Sequence, residues 1–109
     1  MDEQYEQQTS AAVTLIFDEL ISGEKKHPGW PHDLIHAVGI ITEEVGEAMR
    51  DAIDLTYWKW NAGPGKGSEA EYRASRLNDL RRELAQVGAM AIRALIHLPP
   101  VPVSGETSP

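Results

Sequence analysis

Two clusters of helix-breaking residues, Pro28-Gly29-Trp30-Pro31 and Asn61-Ala62-Gly63-Pro64-Gly65-Lys66-Gly67, divide this chain into three stretches that each read at helical period. Proline lacks the amide that a helix interior needs and glycine frees the backbone, so neither cluster continues a helix. From about Gln4 to Ile21, residues Val13, Leu15, Ile16, Phe17 and Leu20 recur at roughly helical intervals. Ser22-Gly23 is expected to end that helix, with Lys25 to Pro31 as a loop. A second helix is expected to start near Pro31 to Asp33, with Asp33 as the cap, and to run to about Trp58. Ser68 and Glu71 form a capping-box pattern that opens a third, reaching Ile96 or Leu98.

The expected fold is therefore all-α, a bundle of three main long helices with room for one short extra helix. Residues 1–98 form one helical domain, and residues 99–109, holding four of the seven prolines, are expected to be a disordered tail. A chain of 109 residues buries a modest fraction of its surface, and three helices leave apolar edges, so completion of the bundle as a homodimer or homotetramer is expected.

The net charge of −7 argues against nucleic acid or an anionic membrane as partner, since a polyanion would be repelled. The acidity is local: residues 1–60 hold 12 acids against 4 Lys or Arg, and residues 61–109 hold 5 acids against 6. With no cysteine, thiolate chemistry and Cys-based zinc sites drop out. With no basic-then-apolar leader and no apolar run of about 20 residues, a cytoplasmic location is expected.

At about 100° per residue, Glu44, Glu47, Asp51 and Asp54 form one stripe on the second helix, beside an apolar face of Leu34, Ile41, Val45, Ala48 and Ala52. Like charges at these spacings cost roughly 0.2–0.5 kcal/mol per pair, and no Lys or Arg stands in the stripe, so a cation is expected there. The third helix repeats the arrangement. Arg76, Asp79, Glu83, Gln86 and Met90 run beside Leu80, Leu84, Val87 and Ala91. Packing the apolar faces together brings the polar edges into apposition, and the resulting oxygen-rich site suits magnesium or manganese rather than zinc. Magnesium is commonly shared between carboxylates and phosphates, which points to a phosphoryl substrate.

Glu44-Val45-Gly46-Glu47 on one long helix, then a breaker-rich connection, then Leu80-Arg81-Arg82-Glu83-Leu84-Ala85-Gln86-Val87 on another, resembles the MazG-like all-alpha nucleotide pyrophosphohydrolases over residues 27–97. Their pattern is Glu-x-x-Glu on one helix and Glu-x-x-Asp on the next. The resemblance implies Mg2+ (or Mn2+) ligands at Glu44, Glu47 and Glu83, with Gln86 standing where the family has aspartate. A glutamine offers a carbonyl oxygen but no charge, so Glu43, Asp51 and Asp79 are the acids that would support the site.

The implied reaction cleaves a nucleoside triphosphate between its α and β phosphates, giving a monophosphate and pyrophosphate. Glu44 or Glu47 would orient a water activated by the ions. Lys59, Lys66, Arg82 and Arg93 are candidates to hold phosphates, and Trp30 is placed where related proteins set an aromatic against the base. The alternative that Gln86 leaves open is a non-catalytic helical oligomer of the same fold, binding a nucleotide or a protein.

His32-Asp33-Leu34-Ile35-His36 has the outline of a zincin helix, but its acid is Asp and it abuts Pro31, so a helix cap is the better reading. Tyr57, Trp58 and Trp60 read best as covering a core or a subunit contact.

Overall fold

The computed structural model describes residues 2–57 and 67–102, and these are all-helical. Helix α1 spans Glu3–Lys26, α2 spans Leu34–Tyr57 and α3 spans Glu69–His97. Lys59, Lys66, Trp58, Trp60 and residues 103–109 of the tail lie outside the described residues.

Each helix starts on a side-chain cap that satisfies amides lacking a partner in the first turn. Asp2 Oδ1 accepts from the Tyr5 N–H at 2.7 Å, Asp33 Oδ1 from the Ile35 N–H at 2.9 Å, and Ser68 Oγ from the Glu71 N–H at 3.1 Å. Asp33 and Ser68 thus cap as the sequence indicates, and His32 and His36 are exposed. One boundary differs. Ser22-Gly23 does not end α1, which continues to Lys26, so the loop is shorter than expected. An interior glycine costs only about 1 kcal/mol relative to alanine. Here Gly23 also lies against α3, where an added Cβ would stand 3.6 Å from Met90 Cε. Lys25 and Lys26 in the last turn complement the negative end of the helix dipole.

Helix α3 is central. It packs against both α1 and α2, which do not pack on each other, so a cleft opens between them above α3. Among the described residues the buried apolar side chains are small: Ala37 and Ala48 on α2, and Ala85 and Ala89 on α3. Gly88 admits α1, because a Cβ there would meet Ile16 Cδ1 at 2.8 Å and Cγ1 at 3.0 Å. Gly88→Ala is expected to destabilise the protein by about 1 kcal/mol, overpacking outweighing the gain in helix propensity. A rise in the thermal midpoint would show that Ile16 swings aside freely.

The α2 contact ridge is rotated from the face expected. Val45 (44% exposed), Leu34 (54%) and, on α3, Leu84 (55%) face outward, while Glu44, Asp51, Arg76 and Glu83 are half-buried. That rotation, with Ala37 and Ala48 of α2 buried, turns the polar edges inward. It also leaves Val38, Val45, Met49 and Ile53 as an uncovered apolar stripe on α2. Among the described residues, no helix is long and apolar enough to cross a membrane.

Candidate metal centre

The rotation of α2 on α3 brings three carboxylates together. Glu44 and Glu47 on α2 and Glu83 on α3 each offer an oxygen, all within 4.8 Å of one another. Helical spacing sets the first pair on one edge, and the packing of α3 on α2 sets the third opposite them.

The crowding is visible in the acidities. Glu83 is pushed up to about 7, first by desolvation, then by a hydrogen bond to Glu47 and by the charges of Glu47, Glu44 and Asp51. Glu44 is also raised, mainly by burial and then by the charges of Glu47 and Glu43, with partial relief from a hydrogen bond to Glu83. Around neutrality, then, a proton resides in this group. A divalent cation would occupy the same position to greater effect.

This has a sign for stability. Glu83 titrates near 4.5 when unperturbed and near 7 when folded, so between those values the folded state holds a proton that the unfolded chain releases. The contribution is present in full below about 4.5 and is lost as pH rises to about 7. In chelator, the thermal midpoint of wild type relative to Glu83→Gln is expected to fall between pH 5 and 8, and millimolar Mg2+ to restore wild type alone. Parallel curves for the two proteins at all pH values would refute this.

The acidic stripe is not uniform. Arg76 of α3 donates from Nη2 to Asp51 Oδ1 at 3.0 Å and to Asp54 Oδ2 at 2.9 Å, with Nη1 3.9 Å from Asp79 Oδ2. So the cation expected at the stripe is, for its lower half, one that the protein supplies from the facing helix. Asp51 and Asp79, expected as supporting acids, pair with that arginine. Glu43 lies on the exposed side, acting on Glu44 through its charge.

Gln86 sits beside the cluster as a donor. With its amide nitrogen turned inward, it donates to Glu44 Oε2 at 3.0 Å and Glu83 Oε2 at 3.3 Å. In that orientation its N–H groups, and not its carbonyl oxygen, face the carboxylates. The amide holds two of them in place.

Beside Glu44 the cleft between α1 and α2 has a volume of about 510 Å³. Glu44 and Gln86 line it together with Glu19, Lys26, His27, Trp30, Met90 and Arg93. Trp30 thus belongs to the site region, as expected, whereas Arg82 is exposed and is not among the lining residues. Arg93 lines the cleft but is 4% exposed, its Nη2 engaged by the loop after α1. Glu19 and Lys26 were not expected. They sit three residues after Ile16 and after Gly23, both of which face α3, so projecting α1 from its contact face would have found them.

Compared with protein-family models, with curated proteins and with solved structures, the chain has no match.

Proposed function

We propose that this chain is a divalent-cation-dependent nucleoside triphosphate pyrophosphohydrolase of the MazG-like kind, producing a monophosphate and pyrophosphate. The observation that supports it most is the convergence of Glu44, Glu47 and Glu83, of which Glu44 also lines a cleft large enough for a nucleotide. The donor set fits the proposed ion: three carboxylate oxygens form a hard site, and their crowding holds a proton that an ion would displace. Magnesium, or manganese in its place, would supply charge neutralisation on the phosphates and activation of water.

The chain's own residues divide the remaining work. Glu44, Glu47 and Glu83 hold the ion, and Glu47, the exposed member, orients water. Gln86 fixes the oxygens of Glu44 and Glu83 through its N–H groups. Trp30 offers a flat apolar surface at the cleft wall for a base. We place the protein in a reducing cytoplasm as a homodimer or homotetramer, covering the Val38, Val45, Met49 and Ile53 stripe. A monomeric mass by light scattering at micromolar concentration would contradict that assembly.

The test is product release from a panel of ribo- and deoxynucleoside triphosphates with Mg2+. Pyrophosphate as the product supports the reading, and free phosphate would move the cut along the chain. A folded protein that releases neither would instead favour a non-catalytic, nucleotide-binding oligomer. The donor role of Gln86, which adds no fourth charge for an ion, speaks for that second reading.

A further inference from the structure

The loop from His27 to Pro31 forms one wall of the cleft, and beyond the His27 N–H, which donates to the Gly23 carbonyl, two prolines and a glycine at φ +93° keep it from continuing the helix. Such a segment needs an external scaffold if its side chains are to be held still. Arg93, 66 residues away on α3, provides one. Its Nη2 donates to the carbonyls of both His27, at 2.7 Å, and Gly29, at 2.6 Å. Its Nε lies 3.0 Å from Glu24 Oε1, an ion-pair distance without hydrogen-bond geometry. The guanidinium carbon stands 5.1 Å from the Trp30 ring centre, and that ring in turn lies nearly parallel to His97, 6.3 Å away at 13°.

We infer that Arg93 is the positioning residue of the cleft, acting on substrate through Trp30 rather than by holding phosphate. This rests on the nucleotide reading above. At 4% exposure the guanidinium is withdrawn from solvent, and a charge so buried is stabilised by the carbonyls and the aromatic face it touches. A phosphate would have to compete with those contacts. What Arg93 does instead is set the position of Trp30, while the fork geometry that bridges two carbonyls is one that lysine cannot reproduce.

The test uses the full chain and a double-mutant cycle of Arg93→Ala and Trp30→Ala. The readout is calorimetric binding of the magnesium complex of an α,β-methylene nucleoside triphosphate, which resists cleavage at that linkage, with Mn2+ binding measured alongside. Each single substitution is expected to weaken binding of the analogue about tenfold, and the double variant no more than about tenfold, with Mn2+ affinity unchanged. Losses that multiply toward about a hundredfold would give Arg93 its own hold on substrate and overturn the inference. So would undiminished analogue binding or weakened Mn2+ binding in Arg93→Ala. Where Arg93→Ala does not fold, Arg93→Lys takes its place in the cycle, and wild-type affinity in that variant overturns the inference. If wild type does not bind the analogue at all, the nucleotide reading fails by itself. The loop-holding role is then read from tryptic cleavage after Lys26, expected to be faster in Arg93→Lys than in wild type, and an equal rate rejects it.

Discussion

Glu47→Ala is expected to reduce pyrophosphate release by about 10³-fold or more while leaving the protein at least as stable as wild type, because the loss is one of several kcal/mol in charge stabilisation. Its carboxylate is one of three that converge within 4.8 Å, and it is the exposed member, so its removal leaves no cavity in the core. The stability half follows from Glu83. Part of the upward displacement of Glu83 comes from its hydrogen bond to Glu47 and from the Glu47 charge, so Glu83 ionises more readily once Glu47 is gone. In chelator at pH 8 the variant is expected to unfold at or above the wild-type temperature, and added Mg2+ to raise its midpoint far less. Glu43→Ala provides the contrast. It removes a neighbouring charge from outside the group, and activity is expected to change less than about fivefold. A Glu47→Ala protein that keeps more than a tenth of wild-type turnover would take Glu47 out of the site.

Arg76→Ala is expected to cost about 2–3 kcal/mol, less than the 3–5 of a fully buried pair because Asp54 is half exposed to solvent. The guanidinium bridges Asp51 and Asp54 on α2 while approaching Asp79 on its own helix. Truncation leaves three carboxylates without their cation, next to Glu47 and Glu83. The thermal midpoint is expected to fall by roughly 10 °C or more for a domain of this size. Added salt should recover part of the loss, since the exposed members of the cluster are screened. Arg76→Lys should lie between the two, a single ammonium being unable to span both aspartates in a fork. A drop of less than about 2 °C would mean that the cluster is solvated well enough to need no counter-ion.

Much of the fold was legible in the sequence because helix caps and breakers act over three or four residues. Asp33 and Ser68 cap where their positions indicate, and the all-helical class follows from period alone. Gly23 was misleading. A glycine after an apolar run signals a helix end locally, but contact with α3 carries α1 onward to Lys26. Arg93 was equally opaque, since its sequence position offered it only as a candidate to hold phosphate. Only the fold shows that it is buried under a loop 66 residues earlier.

The carboxylate stripe on α2 marks where the two kinds of information divide. The sequence by itself determined that Glu44, Glu47, Asp51 and Asp54 share one edge of a helix, because 100° of rotation per residue fixes that without any neighbour. Which of them form a site was decided by tertiary structure alone. The rotation of α2 against α3 shows in what is buried: Ala37 and Ala48 of α2 are withdrawn from solvent while Val45 is 44% exposed. That angle delivers Arg76 to Asp51 and Asp54, Glu83 to Glu44 and Glu47, and the amide of Gln86 between them. One stripe thus becomes a neutralised half that ties the helices together and an unneutralised half that could hold a metal ion, because apposition across an interface depends on the partner's side chains and not on helical period.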